Sequence, residues 1–366
     1  MIFAGSDSAR DLSRKVLGDL DRRKRQRLRF LHSPRASATP TIYFLAPDYE
    51  VPSGGTMVLY RHIDILNAAG FSAAALHQRS GFRYTWFDND TRTADLASTR
   101  LGPGDVVVFP ETDIDLINRL PPGIGYVIFN QNSHLTWQRS NAVADAYRKN
   151  RAGFLGVVTV SAHNQTMLRQ AFGDIEIARV HLGIDAQRFW SPPGDRPRRI
   201  TYMPRRGRAD AELTLSILKQ RGLLEGWEVV PLTGLRHDQV AQQLRRSTIF
   251  LSFTYQEGFG LPAAEAMACG NHVIGYHGWA GQEFFDPRFS TPVATGDVTA
   301  FVCAVEQVLV NEASEVGWCL GKGRQASDFI LTEYAQERER EDVAAIYSRL
   351  CGLLDTAMRP DHGILA

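Results

Sequence analysis

Short apolar runs of strand length alternate with helical patterns twice along this 366-residue chain, and a proline-rich break separates the two series. The first series reads as strands at Thr41–Ala46, Ser72–His77, Asp105–Pro110, Tyr126–Asn130 and Phe154–Ser161, with helical patterns at 56–69, 140–150 and 162–171. The second reads as strands at Arg199–Met203, Trp227–Pro231, Thr248–Phe253 and His272–Tyr276, with helices at 209–221, 236–246 and 262–269. Residues from about 297 to 356 read as helical, before a disordered-looking tail. Strands that alternate with helices form parallel, doubly wound α/β sheets, because each parallel connection needs a crossover. The stretch from Ser191 to Pro197 reads as the linker between two such units. Ligands of these sheets sit at the carboxyl ends of the strands, so the turns after the strands carry the functional information.

Composition narrows the classes. Charged residues are 22% and hydrophobic ones 44%, which excludes a disordered or collagen-like chain. The net charge of +1 excludes a uniformly basic nucleic-acid binder, yet the distribution is uneven. Residues 1–36 carry ten Lys/Arg against four Asp, a net of +6, so the remaining 330 residues carry −5. Leu12, Val16 and Leu20 precede the run from Arg22 to Arg29 at helical spacing, which reads as a basic amphipathic helix and suggests contact with an anionic membrane surface. Ser33 to Pro40 reads as a linker. Four cysteines without a C-x-x-C pair suggest neither zinc nor a disulfide framework, and point to a reducing compartment. No apolar run reaches spanning length, and no signal-peptide pattern is recognised. The expected location is the cytoplasm, with peripheral contact at the inner face of the membrane.

One segment concentrates the chemistry: Ser252-Phe253-Thr254-Tyr255-Gln256-Glu257-Gly258-Phe259-Gly260-Leu261-Pro262-Ala263-Ala264-Glu265. A strand is expected to end near Phe253. Gly258 and Gly260 permit close backbone approach, and Pro262 suits the first turn of a helix. The N–H groups around Gly260 and Leu261 would then form an anion site suited to phosphate. Two carboxylates beside a phosphate site are poorly explained by charge, but a carboxylate accepts good hydrogen bonds from a vicinal diol. Phosphate and diols together describe a nucleotide sugar.

The segment resembles the E-x7-E motif of retaining glycosyltransferases of the GT-B fold, especially glycosyltransferase family 4. The likeness continues through Ala266–Gly270, Val273–Gly275 and the turn from Gly278 to Glu283. Ser53-Gly54-Gly55 resembles the family's N-terminal glycine loop, Val160–Asn164 a strand-to-helix turn late in the N-terminal domain, and Leu182–Asp185 with Phe189 the stretch at the domain junction. The resemblance implies two Rossmann-like domains facing a central cleft, with C-terminal helices crossing back. Their expected boundaries are a basic extension over 1–40, an acceptor-side domain over 41–190, a nucleotide-sugar-binding domain over 191–335, and a returning helix and tail over 336–366.

The resemblance also implies roles. Glu265 would hold the ribose hydroxyls and Glu257 the transferred sugar, while the backbone of Gly258, Phe259, Gly260 and Leu261, with Gly54 and Gly55, would line the sugar and phosphates. The family's usual Arg after the first strand of the second domain corresponds to Arg205. Its Lys five residues later is replaced by Asp210, and Arg206 or Arg208 would take over, since a guanidinium binds phosphate bidentately. Gln131, Asn132 and His134 follow an apolar strand and are the acceptor-side candidates, and Pro110-Glu111 ends another strand toward the cleft. Asp88-Asn89-Asp90 mimics a D-x-D metal motif but lies outside the main alternation, so no metal and no cofactor are expected. The implied partners are a nucleotide-diphospho-sugar donor and a saccharide, lipid-linked or other hydroxyl acceptor, with no nucleic acid. A non-catalytic sugar- or partner-binding module and a nucleotide-sugar epimerase on the same fold are the alternatives.

Overall fold

The structure is a computed structural model, and it describes residues 27–137, 143–205 and 207–358, with side chains to residue 353. Arg206, most of the basic stretch over residues 10–29 and the tail from residue 359 lie outside the described residues.

Seven strands form the first sheet: β2 (Thr41–Leu45), β3 (Ser72–His77), β4 (Thr93–Asp95), β6 (Val106–Pro110), β7 (Gly125–Asn130), β8 (Phe154–Thr159) and β9 (Ile177–Arg179). Their order is β4-β3-β2-β6-β7-β8-β9, and every pairing is parallel. Five strands form the second: β10 (Arg199–Tyr202), β11 (Glu228–Pro231), β12 (Ile249–Glu257), β13 (His272–Trp279) and β14 (Thr291–Val293), ordered β11-β10-β12-β13-β14 and again all parallel. The change of sheet falls between Arg179 and Arg199, a span that contains Ser191 to Pro197.

Sheets of this kind are covered on both faces, and the central strand Gly125–Asn130 is accordingly buried throughout. The covering helices are α1 (Gly54–Ala68), α2 (Val143–Ala146), α3 (Ala162–Ala171), α4 (Arg208–Gln220), α5 (His237–Arg245), α6 (Leu261–Ala268), α7 (Val298–Ser314), α8 (Trp318–Glu333) and α9 (Gln336–Met358). The last of these returns to the first sheet. Its Tyr347 packs tilted against Phe44 of β2 at 5.6 Å, and its buried Glu339 accepts from Arg61 of α1 at 2.9 Å.

Two regions differ from the sequence reading. Leu28 and Phe30, within and just beyond the basic stretch, are buried, and Phe30 meets Phe109 of β6 edge-on at 6.0 Å. Leu31–His32 (β1) then pairs with Arg100–Leu101 (β5). The strand expected to end near Phe253 runs on to Glu257, with Thr254 paired to His277 and Glu257 to Trp279. The neighbouring strand β13 extends in step, so Gly278 and Trp279 belong to it.

Candidate active site

Each sheet has one place where neighbouring strands send their connections in opposite directions: β2 beside β6 in the first, β10 beside β12 in the second. At such switch points the strand ends leave a crevice. The loops that follow these four strands carry Gly54 and Gly55, Glu111, Arg205 and Arg208, and Gly258 to Leu261. The fold therefore gathers most of the expected site residues by topology alone.

The gathering is close. An added Cβ on Gly54 would lie 2.9 Å from Leu261 Cδ1, and one on Gly258 only 1.6 Å from the Gln131 carbonyl oxygen. The Gln131 side-chain amide donates to the Gly55 carbonyl at 3.1 Å, and Asn132 Nδ2 donates to the Gln256 carbonyl at 3.1 Å. Behind them lies Asn164, fully buried in the first turn of α3. Its Nδ2 donates to both the Gln131 and Gly258 carbonyls at 3.2 Å, and its Oδ1 accepts from Ser133 Oγ at 2.8 Å. A buried amide with both ends satisfied by two domains fixes their relative approach. Glu283 acts similarly: it accepts from Ala162 N, Arg179 Nη2 and the Tyr334 hydroxyl at 3.0, 2.8 and 3.1 Å.

The electrostatics favour an anion. The N-termini of α1 and α6 meet where Gly54 faces Leu261, and each helix start carries partial positive charge. Gly260 caps α6 at φ 101°, a left-handed conformation that glycine adopts without strain, and Pro262 follows in the first turn. Exposed Arg205 crosses from the second domain to donate to the Pro52 carbonyl at 2.9 Å, just ahead of the glycine loop. Arg208 opens α4 after Gly207, where an added Cβ would lie 2.0 Å from the Phe253 carbonyl oxygen. Glu257 ends β12 half-buried, and Phe259 turns into the core against Phe284 and Tyr334, both at 5.3 Å.

Glu111 lies under the Gln131 turn. It is buried and accepts from the Gln131 and Asn132 backbone N–H groups at 3.2 and 3.1 Å. Burial outweighs these bonds and pushes its carboxyl up to about 7. His134 stands beside this turn with Nε2 3.1 Å from His163 Nε2, the two rings stacked at 22°. Burial lowers both imidazoles, and the neighbouring His163 lowers His134 further. His163 in turn stacks on Trp279 at 6.2 Å.

Glu265 is buried on α6, and His237 Nε2 donates to its Oε1 at 2.8 Å. The sequence reading missed His237; its signal was a position at the start of a helix after β11, on the ligand side of the sheet. Of the two arginines expected to replace the missing Lys at 210, Arg208 opens α4 and Arg206 lies outside the described residues, while Asp210 itself has partners that the sequence does not reveal. Asp210 accepts hydroxyl hydrogens from Tyr255 and Tyr276 at 2.7 and 2.9 Å. Asp88 pairs with Arg236 at 3.3 Å, and no group of three or more potential metal ligands occurs among the described residues.

Solved structures share this architecture. Sucrose-phosphate synthase from Thermosynechococcus elongatus superposes with a TM-score of 0.66 at 14% identity, covering 86% of this chain and 100% of that one. Anabaena HepE, in complex with UDP and glucose, superposes at 0.59 and 13% identity over 87% of this chain and 100% of that one. WaaG, a glycosyltransferase involved in lipopolysaccharide biosynthesis, superposes at 0.60 and 11% identity over 83% of this chain and 99% of that one. The fold is GT-B. Within it, residues 207–311 match the family model described as Glycosyl transferases group 1. That span holds Arg208, Glu257 and Glu265, so the match falls on the second domain of the fold. An alpha-1,6-glucosyltransferase of Actinobacillus pleuropneumoniae serotype 7 is 35% identical over 83 residues. This alignment spans 22% of the chain and 25% of that relative's length.

Proposed function

We propose that the chain is a retaining glycosyltransferase that moves a sugar from a nucleotide-diphospho-sugar to an acceptor hydroxyl without a metal. The observation that carries this reading is the meeting of two helix N-termini, the Gly54–Gly55 loop and the Arg205–Arg208 turn, beside Glu257 and Glu265 across two switch points. The group 1 match over 207–311, the alpha-1,6-glucosyltransferase relative and the UDP and glucose bound to HepE support it.

In this reading Glu265 holds the nucleotide ribose and Glu257 the hydroxyls of the transferred sugar. The diphosphate lies against the start of α6. Breaking the glycosidic C–O bond leaves negative charge on the β-phosphate, which Arg205, Arg208 and the helix N-terminus stabilise. The acceptor attacks from the same face, its oxygen forms the new bond to the anomeric carbon, and its proton passes to the departing phosphate oxygen. Gln131 and Asn132 hold the domains together and shape the acceptor side; His134, its imidazole lowered by burial, borders it. A cell-surface polysaccharide or glycolipid is the acceptor class proposed.

The test is slow hydrolysis of a panel of nucleotide sugars, followed by NMR of the first-formed free sugar. The reading expects the donor's anomeric configuration to be kept. An inverted product excludes the retaining mechanism, and no turnover of any donor favours a binding module.

A further inference from the structure

His237 does not merely touch Glu265; it is held so that it can act in only one direction. Arg188 Nη1 lies 2.9 Å from His237 Nδ1, and a guanidinium carries only donors. Nδ1 therefore accepts, the ring hydrogen sits on Nε2, and Nε2 donates to Glu265 Oε1 at 2.8 Å. Phe189 packs on the imidazole at 5.0 Å and keeps its plane fixed. Arg188 is itself placed by Asp185, 3.7 Å from its Nε, in the turn that leaves the first domain. The Glu265 side chain is 8% exposed, and among the described residues its second oxygen has no hydrogen-bond partner. The result is a buried carboxylate with one oxygen committed and the other presented to the site.

We infer that His237 is the positioning residue of the nucleotide pocket, orienting Glu265 so that its second oxygen accepts from the ribose hydroxyls of a nucleoside diphosphate. The inference rests on the donor-binding reading of Glu265. Without the imidazole, Glu265 would turn or take on a water, and the loss would be confined to the ribose contact. A purely structural His237 would weaken every contact of the pocket alike.

The experiment measures affinities of wild type, His237→Ala and His237→Gln by titration calorimetry. Probes are UDP, GDP, ADP, CDP and dTDP, and then the 2′,3′-dideoxy form of whichever binds best. His237→Ala should bind the parent nucleotide about tenfold more weakly, the size expected for a charge-assisted hydrogen bond, yet bind the dideoxy form as wild type does. His237→Gln keeps an N–H near the Nε2 position and should recover most of the loss. Equal weakening toward both nucleotides, or none toward either, overturns the positioning role while leaving the donor reading intact. If none of the five diphosphates binds wild type, the donor reading falls and this inference with it.

Discussion

Gly258 of the second domain and Gln131 of the first lie so close that a single Cβ on the glycine would reach 1.6 Å from the Gln131 carbonyl oxygen. No side-chain rotation relieves such an overlap, because both sides of it are backbone. The two strand-end turns must separate before any other residue can occupy position 258. Asn164, which donates to the carbonyls of both residues, would lose at least one of these bonds.

Gly258→Ala should therefore damage catalysis more than folding. Besides the core they share, each domain keeps a cluster of its own, so the cost in stability should stay near the ~1–3 kcal/mol typical of overpacking. Displacement of the sugar and phosphate site by about an ångström should lower kcat/KM by ~100-fold. Nucleoside diphosphate release measures the second quantity and urea unfolding the first. A variant within threefold of wild-type turnover would show that the close approach is not required.

Arg205 spans the cleft to the Pro52 carbonyl from an exposed position, so its truncation opens no cavity and, in the proposed reading, removes charge at the diphosphate. Its attraction for the leaving phosphate grows as the bond breaks. Arg205→Ala should reduce kcat by about 100-fold while the donor KM changes by less than about threefold. A large rise in KM with kcat unchanged would make the contact one of ground-state binding instead.

Glu111 gives a pH signature. Its carboxyl is raised from 4.5 to about 7 in the folded chain, chiefly by burial and slightly by Asp113. Between those values the folded protein holds a proton that the unfolded chain has released. Stability therefore falls as pH rises from about 4.5 to 7, and the full cost is present above it, ~3 kcal/mol for a shift of this size. Glu111→Gln cannot ionise. The difference in unfolding free energy between wild type and variant should move in the variant's favour by up to that amount from pH 4.5 to pH 8. A difference that stays flat with pH would show that Glu111 is not desolvated as described.

The parts of the molecule legible in the sequence are those whose signal is local. Ser72–His77 is an apolar run of strand length, and the strand has the same bounds. Ala162–Ala171 follows Ser161, whose hydroxyl accepts from Asn164 N as an N-cap, and the helix matches the reading residue for residue. The extension of β12 was not legible, because Thr254-Tyr255-Gln256-Glu257 carries no apolar pattern and is held by pairing with β13. β4, β9 and β14 are three-residue strands at or beside the sheet edges, too short for any period to register. In the site, the glycines of 258 and 260 announce themselves, since few other reasons place two in a strand-to-helix turn. The partners of Asp210 do not, because Tyr255 and Tyr276 come from strands 45 and 66 residues away. His237 was silent for the same reason. A single histidine after a loop means nothing until Arg188 and Glu265, distant in sequence, are seen at either ring nitrogen.

The central claim, that a nucleotide sugar reacts in the pocket bounded by Glu257 and Glu265, is tested most directly by nucleoside diphosphate release. Wild type and Glu265→Ala are each incubated with the UDP-, GDP-, ADP-, CDP- and dTDP-sugars. The account predicts that wild type releases the diphosphate from at least one donor, and that Glu265→Ala does so with kcat/KM lowered at least tenfold, consistent with ~1.5–3 kcal/mol for a lost charged hydrogen bond. Release unaffected by the substitution, or no release from any donor by wild type, would contradict it.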